Sequence, residues 1–399
     1  MQWTSAVSDA PSLTDAIEQA CDQVSDDLGG SSPDLILAFI SSHHSPSFHA
    51  VPELMRAKLG SSPTLGCSAA GVIGAGHEVE RRPGVAVAAA HMPDVDILPF
   101  HFRQDELPSP DDPPEAWQEL IGIDGLENPA FIIIPEPFTI QADLLLSGLD
   151  YAYPKSVKIG GLASGGNKEG ENALFVDTAV HRSGAIGVAL TGNVTIETLV
   201  AQGCRPIGQP MVITKCDRNI VKRLDDQTPL EVLRGIFDTS DERGRRLIRR
   251  SLQVGLVMDP LAHTFVAGDF LIRNVMGANE EDGSLAVGEV LREGQVVQFH
   301  VRDSNSASDD LRDVLERYQD GRNDGAPASA LIFQCLGRGQ YLFGVPDHDT
   351  DLFQSIIAPV PLTGFFCNGE IGQVGGSTFL HGYTSSFALF RPKSEAAVG

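Results

Sequence analysis

The sequence predicts an α+β fold of two modules, in which mixed β-sheets pack with helices. First, an order of strand, helix, strand, glycine-rich turn and strand occurs three times along the chain. Second, strand-like runs without intervening helices stand between the second and third occurrences. Such runs favour mixed sheets over a purely parallel, doubly wound sheet.

A helix precedes the first copy. Apolar residues of SLTDAIEQACDQVSDDL (12–28) recur at helical spacing, and Gly29-Gly30 ends the helix. The elements predicted next are a buried strand at 34–41, a helix around 51–59, a strand running into a glycine-rich turn at 64–74, and strands at 84–90 and 95–102.

The second and third copies repeat this order. The predicted elements of the second are a strand at 130–138, a helix at 142–154, a strand and glycine turn at 156–167, and a strand at 184–192. Those of the third are a helix at 309–320, a strand at 328–339, a helix at 351–358, a strand and turn at 361–376, and a strand at 383–390. The first two copies begin about 95 residues apart, a period typical of a repeated subdomain and too long for a solenoid.

The segment between the second and third copies has a different pattern. The predictions there are sheet at 194–219, helices at 228–236 and 241–252, and strands at 252–259, 269–279 and 295–303. We place a domain boundary near the polar stretch 220–228. The predicted organisation is an N-terminal helix leading into the first module at 1–30, an N-terminal module at 31–224, a C-terminal module at 225–391 and a tail at 392–399.

Charge and motifs exclude several partner classes. The net charge of −24 opposes binding to a nucleic-acid backbone or to anionic lipid, which both need a surplus of Lys and Arg. The sequence contains neither GxGxxG nor GxxxxGK[ST], and it lacks the GxSxG nucleophile elbow. We therefore expect no cofactor, no nucleic-acid partner and no membrane partner.

Cysteine usage points to a reducing compartment. The six cysteines are scattered and form no CxxC pair. The N-terminus lacks a basic start and an apolar run, so we expect no signal peptide, and the apolar runs are too short to span a bilayer. The predicted location is the cytoplasm.

Three small-residue turns follow three buried strands: GCSAAG (66–71), GGLASGG (160–166) and CNGEIGQVGG (367–376). Glycines let backbone N–H groups approach a ligand, and successive amides form anion-binding nests. If the turns converge, they line one pocket, in which amides bind a carboxylate and Glu370 or an Asp binds an ammonium. Gly161 and Ser164 of the second turn, and Cys367 and Asn368 of the third, are candidate ligand contacts. Tight chain reversal is the alternative explanation of each turn.

Two arginines interrupt apolar strands. Arg273 lies in DFLIRNVMG and Arg302 in FHVRDS. A charge in such a place must be paired or face a cavity, and a guanidinium suits a carboxylate. Pairing with Glu289 or Asp303 inside the protein is the alternative to ligand binding.

Reactive side chains could also indicate an enzyme. Cys67 or Cys367 could act as a nucleophile with His381 as its base, although both thiols also suit packing positions. His43 and His44 could bind a metal, but no acidic partner is near them in sequence, so a solvated loop is the preferred interpretation and we predict no metal site.

Several segments resemble the FIST family (F-box and intracellular signal transduction proteins). LGCSAAGVIG and AQGCRPIGQPMVIT resemble the family's N-terminal module. FLIRNVMG, VQFHVRD, ALIFQCLGRG and GFFCNGEIG…GGSTFLHGYTSSFALF resemble its C-terminal module. The resemblance covers roughly residues 30 to 391 and implies a sensory protein for small ligands, with amino acids proposed.

The resemblance also marks residues. The marked positions are Gly66, Cys67, Ser68 and Gly71, then Arg273, Asn274, Arg302 and Asp303, then Cys335 and Arg338, and finally Gly369, Glu370, Gly372, His381 and Thr384. No F-box, kinase, cyclase or chemoreceptor segment fits outside the match, so the protein would act through a separate signalling protein or would not signal.

These observations lead to one main hypothesis and two alternatives. The main hypothesis is a cytoplasmic sensory protein that binds a small polar metabolite, such as an amino acid or similar carboxylate, rather than an enzyme. One alternative is an enzyme with Cys367 or Cys67 as nucleophile and His381 or Glu370 as acid/base. The other is a protein-interaction scaffold.

Overall fold

The computed structural model describes residues 1–262, 264–322 and 325–393. By its packing the chain forms two compact units. The sheet unit comprises Met1–Val200, Val314–Leu380 and the chain from Thr384 onward. The barrel unit comprises Ala201–Asp313 and His381–Tyr383. Mixed sheets packed with helices confirm the predicted α+β class.

The first two copies are confirmed, and each begins one strand and one helix before the strand predicted at 34–41 or at 130–138. The elements of copy one are β1 (Gln2–Ser8), α1 (Leu13–Asp27), β2 (Leu35–Ser41), α2 (Val51–Leu59), β3 (Thr64–Ala69), β4 (Gly71–Gly74), β5 (His77–Glu80) and β6 (Val85–His91). Those of copy two are β7 (Val95–Phe102), α3 (Pro114–Ile121), β8 (Ala130–Pro135), α4 (Ala142–Ala152), β9 (Lys158–Gly161), β10 (Leu174–Val176), β11 (Ala179–His181) and β12 (Ala185–Gly192).

The barrel unit interrupts the third copy, which begins with β13 (Thr195–Ala201). The inserted elements are β14 (Cys204–Asp217), β15 (Ile220–Leu224), α5 (Pro229–Thr239), α6 (Glu242–Ser251), β16 (Leu252–Val257), β17 (Phe270–Ala278), β18 (Leu285–Val287) and β19 (Val296–Arg302). The six strands close in the order β14-β15-β18-β17-β16-β19 around an apolar interior.

The third copy then resumes. Its remaining elements are α7 (Ser304–Asp320), β20 (Ser329–Cys335), α8 (Gly339–Phe343), α9 (His348–Ile356), β21 (Leu362–Cys367), β22 (Glu370–Val374), β23 (Ser377–His381) and β24 (Ser385–Arg391). Within the described ranges, no helix combines the length and the apolar composition that crossing a bilayer requires.

Each copy forms four strands of one six-stranded sheet and contributes a hairpin to the sheet of another copy. The strand orders are β1-β6-β2-β3-β10-β11, β7-β12-β8-β9-β22-β23 and β13-β24-β20-β21-β4-β5. Copy one thus receives the hairpin of copy two, copy two receives that of copy three, and copy three receives that of copy one. In each sheet one central pair is parallel, namely β2 with β3, β8 with β9, and β20 with β21.

The three sheets share one core. Equivalent central residues Leu37, Ile132 and Leu331 belong to the same buried cluster. The opposite faces of the first two sheets are covered by their own helices, α1 and α2 or α3 and α4. Because central strands are buried on both faces, they are continuously apolar in sequence.

Candidate functional site

The three glycine-rich turns meet inside the sheet unit. The Ser164 N–H donates to the Ser68 carbonyl oxygen at 3.1 Å, and the Ala70 N–H donates to Ser164 Oγ at 2.9 Å. The Leu162 N–H donates to the Gly369 carbonyl oxygen at 2.9 Å. The carboxyl ends of the parallel strand pairs therefore come together, at the edge where α/β sheets commonly bind ligands.

One glycine in each copy permits a close approach of neighbouring parallel strands. A Cβ atom at this position would clash with a backbone carbonyl oxygen of the adjacent strand. The distances from the Cβ position to that oxygen are 1.9 Å for Gly66 and Ala38, 1.8 Å for Gly160 and Ile133, and 1.7 Å for Gly364 and Ile332. Real Cβ contacts are not this short, so packing alone requires glycine here.

Two further predicted glycines are also surrounded by protein. A Cβ at Gly71 would lie 2.9 Å from Cδ2 of Phe366. A Cβ at Gly161 would lie 2.8 Å from Sγ of Cys367. Tight packing is therefore a sufficient reason for glycine at both positions.

A buried polar group that the sequence analysis missed supports the second turn. Glu136 follows β8 and is fully buried; its Oε1 accepts from Asn172 Nδ2 at 2.9 Å and its Oε2 from Thr139 Oγ1 at 2.7 Å. Asn172 Oδ1 in turn accepts from the Gly166 N–H at 2.8 Å. In the sequence, the signal that could have identified Glu136 is its position directly after the apolar run AFIIIP.

The third turn is held by Glu370. Its carboxylate is fully buried and accepts from the Thr384 N–H at 3.0 Å and from Thr384 Oγ1 at 2.7 Å. The Cys367 thiol lies 3.5 Å from the same carboxylate. Asn368, between them, is exposed. Glu370 thus stabilises its own turn, and Asn368 is exposed to solvent in the same turn.

Burial keeps the candidate nucleophiles protonated. It raises the pKa of the Cys67 thiol well above its usual value. Burial also raises the pKa of Cys367, and the nearby Glu370 and Cys335 raise it further. Since the thiolate is the nucleophile, both environments oppose covalent catalysis. Cys335 is half-buried at the end of β20, and His381 is buried at the end of β23.

Arg338 forms a buried ion pair with Asp349. Nε lies 2.5 Å from Oδ2 and Nη2 lies 3.0 Å from Oδ1, so one edge of the guanidinium holds both carboxylate oxygens. Asp349 also accepts from Ser385 Oγ at 2.9 Å, and Nδ1 of His348 lies 2.9 Å from its Oδ1. Burial raises the pKa of Asp349, but Arg338 and His348 outweigh it, and the net pKa is well below the usual range.

The remaining predicted residues belong to the barrel unit. Arg273 on β17 pairs with Glu289 at 2.8 Å, which is the internal pairing that the sequence analysis left open. Asn274 Oδ1 accepts a hydrogen bond from the Tyr383 hydroxyl. These residues and the turns therefore lie in different compact units.

Asp303 is also engaged within the barrel unit. Its carboxylate lies 3.0 Å from Arg243 and 3.6 Å from Arg205. It also accepts from the Ser306 N–H and Oγ, each at 3.1 Å. These contacts satisfy the Asp303 carboxylate within the protein, without a ligand.

Arg302, at the end of β19, is different. Its guanidinium carbon stands 5.0 Å from the centroid of the Tyr383 ring, a cation–π contact. Its Nε and Nη2 atoms are buried, and neither forms a hydrogen bond with any part of the chain that the structure describes. A buried donor without an acceptor is unfavourable, so these two atoms are the most conspicuous open positions among the predicted site residues.

The structure offers no support for a metal at the paired histidines. His43 is exposed and His44 is buried, and burial lowers the pKa of His44. Across the described residues, no group of three or more His, Cys, Asp or Glu side chains is arranged to hold a metal ion.

Comparison with known proteins assigns the chain to a family. The FIST N domain matches residues 34–227 and the FIST C domain matches residues 229–373. The chain belongs to the FIST family. FIST domains are associated with signal transduction and sensing.

Two of the relatives extend over most of this FIST protein. An uncharacterized protein of Mycobacterium tuberculosis is 35% identical over 384 residues, which are 96% of this chain and 98% of the relative. An uncharacterized protein of Mycobacterium bovis is 34% identical over 380 residues, 95% of this chain and 96% of the relative. An F-box/LRR-repeat protein of Arabidopsis thaliana is 26% identical over 156 residues, 35% of this chain and 28% of the relative.

Among solved structures, the crystal structure of a cyanuric acid hydrolase from A. caulinodans is similar at a TM-score of 0.32 and 9% identity. The alignment covers 98% of this chain and 100% of that chain.

Proposed function

We propose that this FIST protein is a sensory protein that binds a small carboxylate metabolite, such as an amino acid, through Arg302. The single observation that carries the proposal is the buried Nε and Nη2 edge of Arg302, which has no acceptor among the described residues. The same edge of Arg338 holds both oxygens of Asp349. A ligand carboxylate would accept hydrogen bonds from Nε and Nη2 of Arg302 with the same two-point geometry.

Tyr383 gives this site a means to respond. Its ring covers the Arg302 guanidinium, and its hydroxyl donates to Asn274. Its backbone has a φ of +70°, in the left-handed region that non-glycine residues rarely adopt. Because Nε and Nη2 of Arg302 are buried, a ligand must displace neighbouring atoms to reach them. Movement of Tyr383 would then report binding, as a sensor requires.

The enzyme alternative receives no support from the candidate nucleophiles, since burial favours the neutral thiols of Cys67 and Cys367. The cytoplasmic location remains part of the proposal. All six cysteines are free, which fits a reducing compartment. A separate signalling protein also remains part of the proposal, because a sensor must pass its state to another molecule.

The test is a thermal-shift screen of amino acids and small carboxylates, followed by calorimetry of each hit. A ligand at about a hundred times its Kd should stabilise the protein by about 2.7 kcal/mol. The Arg302→Lys variant keeps the charge but loses the two-point fork, so we expect binding to weaken by about tenfold or more.

Arg292→Lys, at an exposed arginine of the same unit, is the matched control and should bind as the wild type does. A hit that Arg302→Lys leaves unchanged would contradict the proposed site. No hit with any carboxylate would contradict the proposed ligand class.

A further inference from the structure

We propose that the exposed face of α6 is a docking surface for an acidic segment of a partner protein. The ten residues ERGRRLIRRS contain five arginines and one glutamate, within a chain that has 29 basic and 53 acidic residues. We call the five side chains the arginine surface: Arg243, Arg245, Arg246, Arg249 and Arg250.

Helical geometry places these arginines together on the outside. Gly244 is buried, and Leu247 and Ile248 are half-buried on the side of α6 that packs on the unit. All five arginines are exposed. At 3.6 residues per turn they cover the remaining half of the helix, with only Glu242 among them. The whole solvent-facing side of α6 is therefore cationic apart from one carboxylate.

Internal contacts leave part of this charge unmatched. Arg243 pairs with Asp303 at 3.0 Å, and Arg246 pairs with Glu242 at 2.9 Å. In the described part of the chain, neither Arg249 nor Arg250 forms an ion pair. Among the described residues these two guanidinium groups are therefore open to a carboxylate of another molecule.

The arrangement is unfavourable for an isolated helix. Arg246 lies three or four residues from Arg243, Arg249 and Arg250, and like charges at these spacings destabilise a helix. The helix dipole compensates only for arginines in the last turn. Such a local conflict in an otherwise acidic protein is typical of a functional surface.

Stacking holds two of the guanidinium groups in place. The Arg249 guanidinium carbon lies 4.8 Å from the centroid of the Phe237 ring, and that of Arg245 lies 5.5 Å from it. Arg245 also donates to the carbonyl oxygens of Phe237 and Asp238, at 3.0 and 2.8 Å. A side chain held in this way loses less conformational entropy when it binds a carboxylate.

Charge complementarity favours a short acidic polypeptide as the occupant. Ten helical residues span about 15 Å, the length of about five extended residues. A nucleic acid or a lipid surface extends well beyond this patch and would meet the rest of a chain of net charge −24. A second copy of this chain carries the same large negative charge. A short acidic segment is attracted by the arginine surface and does not reach the negatively charged remainder of the chain, so it is not repelled.

The surface is also joined to Arg302. Ser251, the last residue of α6, donates through Oγ to the Arg302 carbonyl oxygen at 2.9 Å and accepts from the Arg302 N–H at 3.3 Å. A partner on α6 would therefore bind a helix whose last residue is hydrogen-bonded to the Arg302 backbone. This link rests on the proposed function, whereas the docking itself does not.

The experiment measures fluorescence anisotropy of a labelled peptide of about ten residues, half of them glutamate, with the full chain at about 50 and about 300 mM salt. We expect binding that weakens with salt. The triple variant Arg246→Ala, Arg249→Ala and Arg250→Ala should lose at least about tenfold in affinity. The control triple variant Arg56→Ala, Arg82→Ala and Arg292→Ala removes the same charge from exposed sites elsewhere and should bind within about twofold of the wild type.

A conservative variant separates folding from recognition. Arg246→Lys, Arg249→Lys and Arg250→Lys keeps the charge and should lie between the wild type and the alanine variant. Three results would each overturn the proposal: no binding of the peptide by the wild type, or binding that the alanine variant leaves unchanged; tighter binding of a single-stranded oligonucleotide of equal charge; or a salt-sensitive dimer that the alanine variant abolishes. The last two would identify a nucleic acid or a second copy as the occupant.

Discussion

Glu78 is a carboxyl group that the sheet unit withdraws from water. It lies on β5 and is 5% exposed. Burial raises its pKa to about 8, and the neighbouring carboxylates of Asp349, Glu80 and Asp347 act in the same direction, while the Thr350 N–H acts against them. The folded protein therefore holds a proton on Glu78 at a pH where an unfolded chain has released it.

This pKa predicts a pH dependence of stability. An acid whose pKa is raised in the folded state stabilises the protein fully below its unfolded pKa of 4.5, and that contribution is lost as pH rises to about 8. The unfolding free energy of the wild type should fall relative to Glu78→Gln by about 1.4 kcal/mol per pH unit across this window. Urea titrations at several pH values measure the difference.

The control is Glu53→Gln on α2, where the side chain is exposed. This variant should follow the wild type at every pH. Parallel curves for the wild type and Glu78→Gln between about pH 5 and pH 8 would show that Glu78 ionises normally in the folded protein.

At the scale of elements, Asp150 joins three pieces of secondary structure. Its carboxylate, on α4, lies 2.8 Å from the ammonium of Lys158 on β9 and accepts from the N–H and the Oγ1 of Thr378 on β23, each at 2.7 Å. Lys158 is fully buried and also donates to the Tyr153 carbonyl oxygen at 2.5 Å. Burial lowers the pKa of Lys158, and Asp150 opposes that shift. One carboxylate thus fixes the hairpin of copy three to the sheet of copy two.

Removal of Asp150 should leave a buried ammonium without its counter-ion. We expect Asp150→Ala to lower the unfolding free energy by about 3 kcal/mol, the lower end for a broken buried pair because Asp150 is partly exposed. The double variant Asp150→Ala and Lys158→Met should recover most of that loss, since it removes the charge as well. Denaturant titration of both variants is the measurement.

Asp96→Ala, at an exposed carboxylate of β7, serves as the control and should change stability by less than about 0.5 kcal/mol. If the double variant is as unstable as Asp150→Ala alone, then the lost contacts to Thr378 matter more than the buried charge.

Sequence patterns predicted the helices and strands better than they predicted which strands pair with one another. The apolar runs and glycine turns marked the central strands of each copy, because burial on both faces and close strand approach leave a local signature. They did not mark β1 as a member of the first sheet or the exchange of hairpins, because strand pairing between distant segments has no local signature. The sequence predicted a strand at 95–102 but not its partner: this strand, β7, pairs with β12 and begins the second copy.

The same limit applies to the candidate sites. Arg273 and Arg302 interrupt apolar strands in the same way, yet Glu289 pairs with Arg273, and Nε and Nη2 of Arg302 meet no acceptor in the described chain. The difference depends on which side chains the barrel brings near each arginine. Glu136 was missed because a carboxylate after an apolar run is typical of a strand simply reaching solvent.

At the scale of the molecule, hairpin exchange links the three copies in a ring within the sheet unit. Each sheet contains a hairpin from another copy, and the three sheets share one core. No copy can unfold without removing two edge strands from a neighbouring sheet. The sheet unit should therefore open as one cooperative unit rather than copy by copy.

Gly364→Ala tests this cooperativity. Its Cβ would lie 1.7 Å from the Ile332 carbonyl oxygen, so strands β20 and β21 must move apart, at a cost of about 3 kcal/mol. If the ring unfolds as a unit, the slowest amides of all three parallel pairs should exchange about a hundredfold faster. Hydrogen exchange measured by mass spectrometry resolves the three sheets.

The matched control is Gly235→Ala in the interior of α5, where a Cβ meets nothing within 4 Å. Alanine should stabilise that helix by about 0.5–1 kcal/mol and leave exchange in the sheet unit unchanged. Faster exchange confined to the sheet that contains β20 and β21 would mean that the copies unfold independently. The exchanged hairpins would then be peripheral additions to three separate sheets, and the shared core would be too weak to couple them.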